Sequence, residues 1–386
     1  MNDIKEFNLL DVRKNSQIVN TLNKVYKLWG YEKIAPSMIN NIDILKTSGV
    51  INQDELVTLV SNKSLCLRPE MTTSIVKLIS TRLINKKRPI RLWNNGIIFE
   101  KKDGVKNSQR FNERIQSGIE LIGYDTEFPE IEVINILFDS IDKLKLKENC
   151  NLIFLVSSTT IMDLILNKYK SNNYEEIKKS MINLDQDNLN KLNILQKDKD
   201  ILNELLYTRG DPNNVIDKLS NLYGNSKVLE DLRYLFNTIQ PIANKYQISI
   251  QLDPTFQPHL NLYEGIVFQM ISVRNGEKSI IAKGGRYDEL VRFFNPKENV
   301  PNGLGFSISI DNLRKVIKEE NTTNEKILLL YQKKEDLPLA IEEQKKLHEK
   351  GIITILEINP CNDISLSEKL MKENNCSKIK WIKSYQ

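Results

Sequence analysis

Arg91-Leu92-Trp93-Asn94-Asn95-Gly96-Ile97-Ile98-Phe99-Glu100 and, one polar loop later, Glu113-Arg114-Ile115-Gln116-Ser117-Gly118-Ile119-Glu120-Leu121-Ile122-Gly123 are two strand-length segments that decide the fold. The loop between them carries Lys101, Lys102, Asp103, Gly104 and Lys106, so the pair reads as an antiparallel hairpin with a long tip. Alternation in the second strand puts Arg114, Gln116, Gly118 and Glu120 on one face and Ile115, Ser117, Ile119 and Leu121 on the other. At a strand rise of ~3.3 Å per residue, Gln116 and Glu120 stand about 13 Å apart, with Gly118 leaving floor space between them. Two polar ends with a gap between suit a small zwitterion with a polar side chain. A half-buried sheet with one solvent-facing side would show the same pattern.

Upstream, Ile18, Val19, Leu22, Val25 and Tyr26 recur at helical spacing, with Asn15 as the cap and Gly30 as the stop. Tyr31 to Ala35 reads as a short strand ending at Pro36. Leu65 to Ile84 gives a short strand, a turn at Arg68-Pro69-Glu70 and an apolar helix. Downstream, a helix from Glu130 to Leu144 precedes a strand at Asn151–Val156. Residues 158–246 are almost wholly helical in pattern, rich in Leu, Asn, Asp and Lys. Strand signals return at Ile248–Leu252, Tyr263–Val273, Ser279–Ala282 and Leu304–Ile310. Antiparallel strands with segregated helices and a helical insertion argue for α+β.

The expected domain boundaries are 1–317 for this body, 318–325 for a polar linker and 326–386 for a small C-terminal unit. In that unit Lys326–Tyr331, Ile352–Ile358 and Lys378–Ile382 are strands, alternating with helices at Asp336–Glu349 and Ser365–Glu373. The alternation predicts a parallel βαβαβ unit.

Composition excludes several functions. Apolar residues make up 40% and charged residues 27% of the 386, which fits a water-soluble globular chain. A net charge of +5 is too thin to argue for nucleic-acid binding. No segment reaches the ~18 unbroken apolar residues of a membrane span. Met1 to Phe7 carries Asp3, Lys5 and Glu6 and no apolar run, so no secretory signal and a cytoplasmic location are expected. Cys66, Cys150, Cys361 and Cys376 are too scattered for a disulfide framework or a metal site, and are expected as reduced thiols. With only His259 and His348 present, neither a metal centre nor a histidine-based triad is expected.

Two further segments bear on the pocket. Tyr263 shares a predicted strand face with Gly265, although a tyrosine there is more often core or rim than ligand contact. Gly284-Gly285-Arg286-Tyr287-Asp288 reads either as a glycine turn that could approach a phosphate or as close strand packing.

Taken in order, these segments resemble the class II aminoacyl-tRNA synthetases, specifically the histidyl branch, over about residues 8–315. Leu67-Arg68-Pro69-Glu70-Met71-Thr72 is similar to the turn that binds the amino acid's ammonium. Arg91-Leu92-Trp93 to Phe99 and Gln116-Ser117-Gly118-Ile119-Glu120 resemble motif 2. Leu260 to Phe268 resembles the histidine-binding strand, and Gly284–Asp288 with Gly303-Leu304-Gly305-Phe306 leads into motif 3. The resemblance implies that Glu70, Thr72 and Gln116 hold the α-ammonium of histidine, while Glu120 and Tyr263 face its imidazole. It also implies a dimer, with the Asn15–Gly30 helix near the interface.

The resemblance breaks at the catalytic arginines. Motif 2 would place one directly after Phe99, where Glu100 stands. The others would fall at Pro258 and Asn312. At ~4 Å and an effective dielectric of ~20 each unit-charge interaction is about 4 kcal/mol, so exchanging a cation for Glu100 shifts about 8 kcal/mol before screening. That is enough to abolish useful adenylate formation, and a nearby Arg110 or Arg114 could compensate one loss but not three. The C-terminal unit is also shorter than an anticodon-binding domain, which argues against tRNA binding. Both departures resemble the regulatory-subunit family of ATP phosphoribosyltransferase. Membership implies a non-catalytic histidine sensor without cofactor or metal, a homodimer within a hetero-oligomer. Its implied partners are the short-form catalytic subunit and L-histidine as effector, under feedback at the first step of histidine biosynthesis. The alternative is a divergent histidyl-tRNA synthetase. A third reading is another catalytically silent paralogue that senses an amino acid.

Overall fold

The computed structural model describes residues 6–47, 56–60, 62–101, 111–169, 173–257, 263–317 and 326–383. Two compact units, Met1–Lys318 and Glu319–Gln386, make up the chain. Most of the expected loop tip and the expected linker at 318–325 lie outside the described residues.

The first unit opens with helix α1 (Leu9–Leu28), two turns longer at its start than the apolar spacing predicts. Asn8, not Asn15, caps it, its side chain accepting from the Asp11 amide at 2.8 Å. Asn15 is instead buried inside the helix and accepts from Arg314 Nη1 at 2.8 Å. The helix stops where expected, at Gly30, whose φ of +79° is open to glycine at little cost.

Strands β1 (Glu32–Lys33) and β2 (Ile39–Asn41), helix α2 (Ile42–Thr47), strands β3 (Val57–Leu59) and β4 (Asn62–Leu67) and helix α3 (Thr72–Arg82) follow. Next comes the hairpin of β5 (Ile90–Lys101) and β6 (Phe111–Ile122), paired antiparallel from Ile90↔Ile122 to Lys101↔Phe111. Helix α4 (Pro129–Lys143) starts with proline at a first-turn position, where its missing N–H costs nothing. Its Val133, Ile134, Leu137, Phe138 and Ile141 are buried in the main core.

Strand β7 (Asn151–Ser158) leads into helices α5 (Thr159–Leu166), α6 (Tyr174–Ile182), α7 (Gln186–Lys191), α8 (Gln196–Leu206), α9 (Pro212–Tyr223) and α10 (Lys227–Lys245). These are the predicted helical insertion. The sheet resumes with β8 (Ile248–Leu252), β9 (Ile266–Arg274) and β10 (Glu277–Arg286), then helix α11 (Asp288–Phe294), β11 (Gly303–Ser309) and α12 (Ile310–Val316).

The eight-stranded sheet has the order β1-β5-β6-β11-β10-β9-β7-β8. Its six central strands are antiparallel to their neighbours, while β1 and β8 join the edges in parallel. Strand β9 begins at Ile266, so Tyr263 lies in the approach to the strand rather than on its face. Gly284 and Gly285 fall inside β10, opposite Phe306 and Gly305 of β11 and Phe268 and Val267 of β9, so the pair is strand packing and not a phosphate turn.

The second unit has β12 (Lys326–Tyr331), α13 (Leu337–Glu349), β13 (Ile353–Leu356), α14 (Ile364–Glu373) and β14 (Lys378–Ile382). Its strands are parallel in the order β13-β12-β14. All four cysteines are free thiols, with Cys66 and Cys361 buried.

A buried acidic cradle as candidate functional site

Arg68-Pro69-Glu70-Met71 leads from β4 into α3 and delivers Glu70 and Thr72 beneath the sheet. The Glu70 carboxylate is 8% exposed and accepts from the Thr73 amide at 2.9 Å, the orphan donor of the helix's first turn. Thr72 donates from Oγ1 to Glu120 Oε1 at 2.9 Å, joining α3 to β6. The other Glu120 oxygen accepts from the phenol of Tyr287, at the entrance to α11. Glu120 is 4% exposed, and among the described residues neither it nor Glu70 has an ion-pair partner. Burial pushes the Glu120 carboxyl up to about 8, and the neighbouring Glu70 charge adds to the rise, against the two hydroxyl donors. Glu70 is raised by burial as well.

Tyr263 packs at the edge of the apolar cluster of Met71, Ile75, Leu92 and Tyr287. Burial first, and then the charges of Glu120 and Glu70, hold its phenol well above the ordinary tyrosine range. Four of the five predicted residues, Glu70, Thr72, Glu120 and Tyr263, therefore converge. Gln116 is half-buried farther along β6, opposite Gly96 and Ser309, and makes none of the hydrogen bonds that join the cluster.

Two glycines shape the cradle. A Cβ on Gly305 of β11 would overlap the Glu120 carboxylate. Gly118 does not leave floor space, because a Cβ there would run into the carbonyl of Phe306. Its role is close approach of β6 to β11.

Sequence reasoning missed Tyr287. The residue lies within Gly284–Asp288, a stretch whose strongest local signal is its glycine pair. The signal available was a tyrosine directly after a strand that neighbours the pocket, too common a feature to single out.

The cations nearby are already engaged. Arg68, 4% exposed, donates from Nε to the Ile97 carbonyl at 2.7 Å and from Nη1 to that of Pro36 at 2.9 Å. Arg286 donates to Asp288 at 2.8 Å and to Glu130 at 3.2 Å, with its guanidinium 5.4 Å from the Tyr124 ring centre. At the position after Phe99, Glu100 pairs with Arg114 across the hairpin at 3.4 Å. Their side chains are 47% and 38% exposed, so solvent screens the charge penalty expected from Glu100. Asn312 donates to the Ile280 carbonyl at 2.7 Å. Pro258 and Arg110 lie outside the described residues. What remains is an anionic, hydroxyl-lined cradle suited to a small ligand that brings its own positive charge and N–H donors.

Among the described residues no cluster of three His, Cys, Asp or Glu side chains could hold a metal ion. No helix among them is long and apolar enough to cross a membrane.

Comparison with known proteins follows the same line. The family model described as histidyl-tRNA synthetase matches residues 3–313. The chain is 64% identical over 383 residues to an ATP phosphoribosyltransferase regulatory subunit of Prochlorococcus marinus subsp. pastoris, covering 99% of this chain and 100% of the relative. It is 33% identical to the protein of that name from a Synechococcus species, covering 98% and 97%. Among solved structures, an ATP phosphoribosyltransferase regulatory subunit/histidyl-tRNA synthetase from Bacillus halodurans superposes with a TM-score of 0.78 at 21% identity, covering 97% of this chain and 95% of that one. A histidyl-tRNA synthetase from Nostoc reaches the same TM-score of 0.78 at 15% identity, covering 96% and 88%. At those identities the two structures show a shared fold.

Proposed function

The chain belongs to the ATP phosphoribosyltransferase regulatory subunits, which share the histidyl-tRNA synthetase fold, and on that premise we propose that it has no catalytic activity of its own and serves the short-form catalytic subunit. In this reading it is required for that subunit's activity and makes the enzyme answer to histidine. L-Histidine is the effector, held through its ammonium by Glu70, Thr72 and Gln116 and through its ring by Glu120 and Tyr263. The protein works as a homodimer within a cytoplasmic hetero-oligomer, as a single domain over 1–317 joined by a linker to the unit at 326–386, and has no tRNA to bind.

One observation carries the reading: an acidic, hydroxyl-lined cradle is kept while Glu100, paired with Arg114, stands where adenylate chemistry needs a free arginine. A carboxylate and a phenol suit an imidazole, whose two nitrogens can both donate. A nucleotide's phosphates would meet carboxylates instead of cations.

Feedback follows if histidine binds the active and inhibited assemblies with different affinity, a coupling typically of about 1–3 kcal/mol. The test is a reconstitution with the short catalytic subunit, alongside histidine-dependent exchange of pyrophosphate into ATP. Activation that histidine reverses, with no exchange, is the expected result. Robust exchange would make the protein a divergent histidyl-tRNA synthetase, and failure to bind the catalytic subunit would reject the regulatory assignment.

A further inference from the structure

We propose that Lys283, on the strand beyond the cradle, receives the α-carboxylate of the bound histidine and so makes the site select a zwitterion over a simple amine. This deepens the histidine-binding reading and rests on it.

The register of the sheet places the lysine. Directly opposed residues of antiparallel neighbours share a face. Glu120 of β6 stands opposite Gly305 of β11, which stands opposite Gly285 of β10. The two glycines leave that row hollow, and the side chains assigned to the imidazole lean into it. A Cβ on Gly305 would meet the Glu120 carboxylate, and one on Gly285 would meet the Tyr263 ring.

The next row, two residues along, runs Asn94, Gly118, Ser307, Lys283 and Gln269 across β5, β6, β11, β10 and β9. Lys283 shares the cradle's face because its neighbours take the other one. Ala282 is buried in the main core, and a Cβ on Gly284 would strike Phe268 of that same core. With a rise of ~3.4 Å per residue and ~4.8 Å between strands, the Cα of Lys283 lies about 12 Å from that of Glu120, diagonally across the hollow row. Its four-carbon stem reaches back over the gap. It is the one charge in a row otherwise made of amides, a hydroxyl and a glycine.

Charge decides what this cation can do. Glu70 and Glu120 suit the ammonium and ring N–H groups of histidine, and they repel its carboxylate. The carboxylate therefore turns from them to the far side of the hollow row, where Lys283 stands. Lys283 is exposed, and its side chain makes no hydrogen bond or ion pair with a described residue. The cations nearer the hairpin are committed. Arg68, against Gly96, feels the Glu70 charge, but it is 4% exposed and donates to the carbonyls of Ile97 and Pro36. Arg114 pairs with Glu100.

The experiment is calorimetry of the full-length protein with L-histidine and with histamine, which has the same ring and ammonium but no carboxylate. Lys283→Met should weaken L-histidine about 10- to 100-fold, the usual effect of losing a charged hydrogen bond, and leave histamine unchanged. Lys283→Arg should keep most of the L-histidine affinity, since it keeps the charge. Undiminished L-histidine binding by Lys283→Met would overturn the proposal and assign the carboxylate to another cation, such as Arg68. Equal weakening of both ligands would overturn it too, because the lysine would then act on the pocket as a whole. Binding of neither ligand to the unaltered protein would overturn the effector assignment and this proposal with it.

Discussion

The phenol of Tyr287 donates a hydrogen bond to the carboxylate of Glu120 across a separation of 167 residues, tying the entrance of α11 to the middle of the sheet. Both groups are buried, so neither has water as an alternative partner. Tyr287→Phe should therefore destabilise the fold by about 1–3 kcal/mol, the usual result of orphaning a buried polar group. Denaturant unfolding measures it, and an unchanged midpoint would show the bond to be dispensable.

Stability of the ligand-free protein should depend on Glu120 with a definite sign. Its carboxyl is raised from 4.5 to about 8 on folding, so the folded state holds the proton more tightly than the unfolded chain. That contribution is fully present below pH ~4.5 and is lost as the pH rises through about 8. Unfolding measured from pH 5 to 9 should show stability falling from the start of the range and levelling off above about pH 8. Glu120→Gln should flatten that decline.

The Arg114–Glu100 pair is exposed and spans the hairpin at 3.4 Å. Pairs of this kind contribute about 0–1 kcal/mol, so Glu100→Ala should leave stability nearly unchanged. Glu100→Arg should likewise fail to create histidine-dependent pyrophosphate exchange, because Asn312 and Pro258 still leave the phosphates without their other cations. Measurable exchange in that single variant would mean the remaining machinery is intact.

Arg314 on α12 is 6% exposed and joins three elements. Its guanidinium meets Asp311 at 3.0 Å and Asp11 at 3.2 Å, and donates to Asn15 at 2.8 Å. Asp311 in turn accepts from the Ile115 amide of β6 at 2.8 Å. Arg314→Met should cost about 3–5 kcal/mol, since it strands a buried carboxylate. A double variant with Asp311→Asn should recover part of that loss, which a cycle of unfolding measurements would show.

Much of the architecture could be read locally. The period-two alternation of Arg91–Glu100 and Glu113–Gly123 identified a hairpin because every side-chain direction follows from its neighbour's. The alternation of strands and helices after 326 identified a parallel unit for the same reason. The start of α1 was missed because its first turns carry exposed Leu9 and Val12, and because buried Asn15 resembles a cap until its partner Arg314 is known. Both edge strands escaped the antiparallel reading, as strand direction across a sheet is a matter of chain return and not of composition.

Sequence alone determined where most strands lie along the chain, which acidic and hydroxyl residues are available to the pocket, and that Glu100, Pro258 and Asn312 are not arginines, for these are questions of identity and spacing. Only the tertiary structure decided that Glu120 faces Thr72 and Tyr287 with no ion-pair partner among the described residues, that Gly118 serves strand packing, and that Arg114 answers Glu100. Burial and hydrogen bonding act through space between segments distant along the chain. A carboxylate's protonation is set by the atoms around it, and no local pattern specifies those.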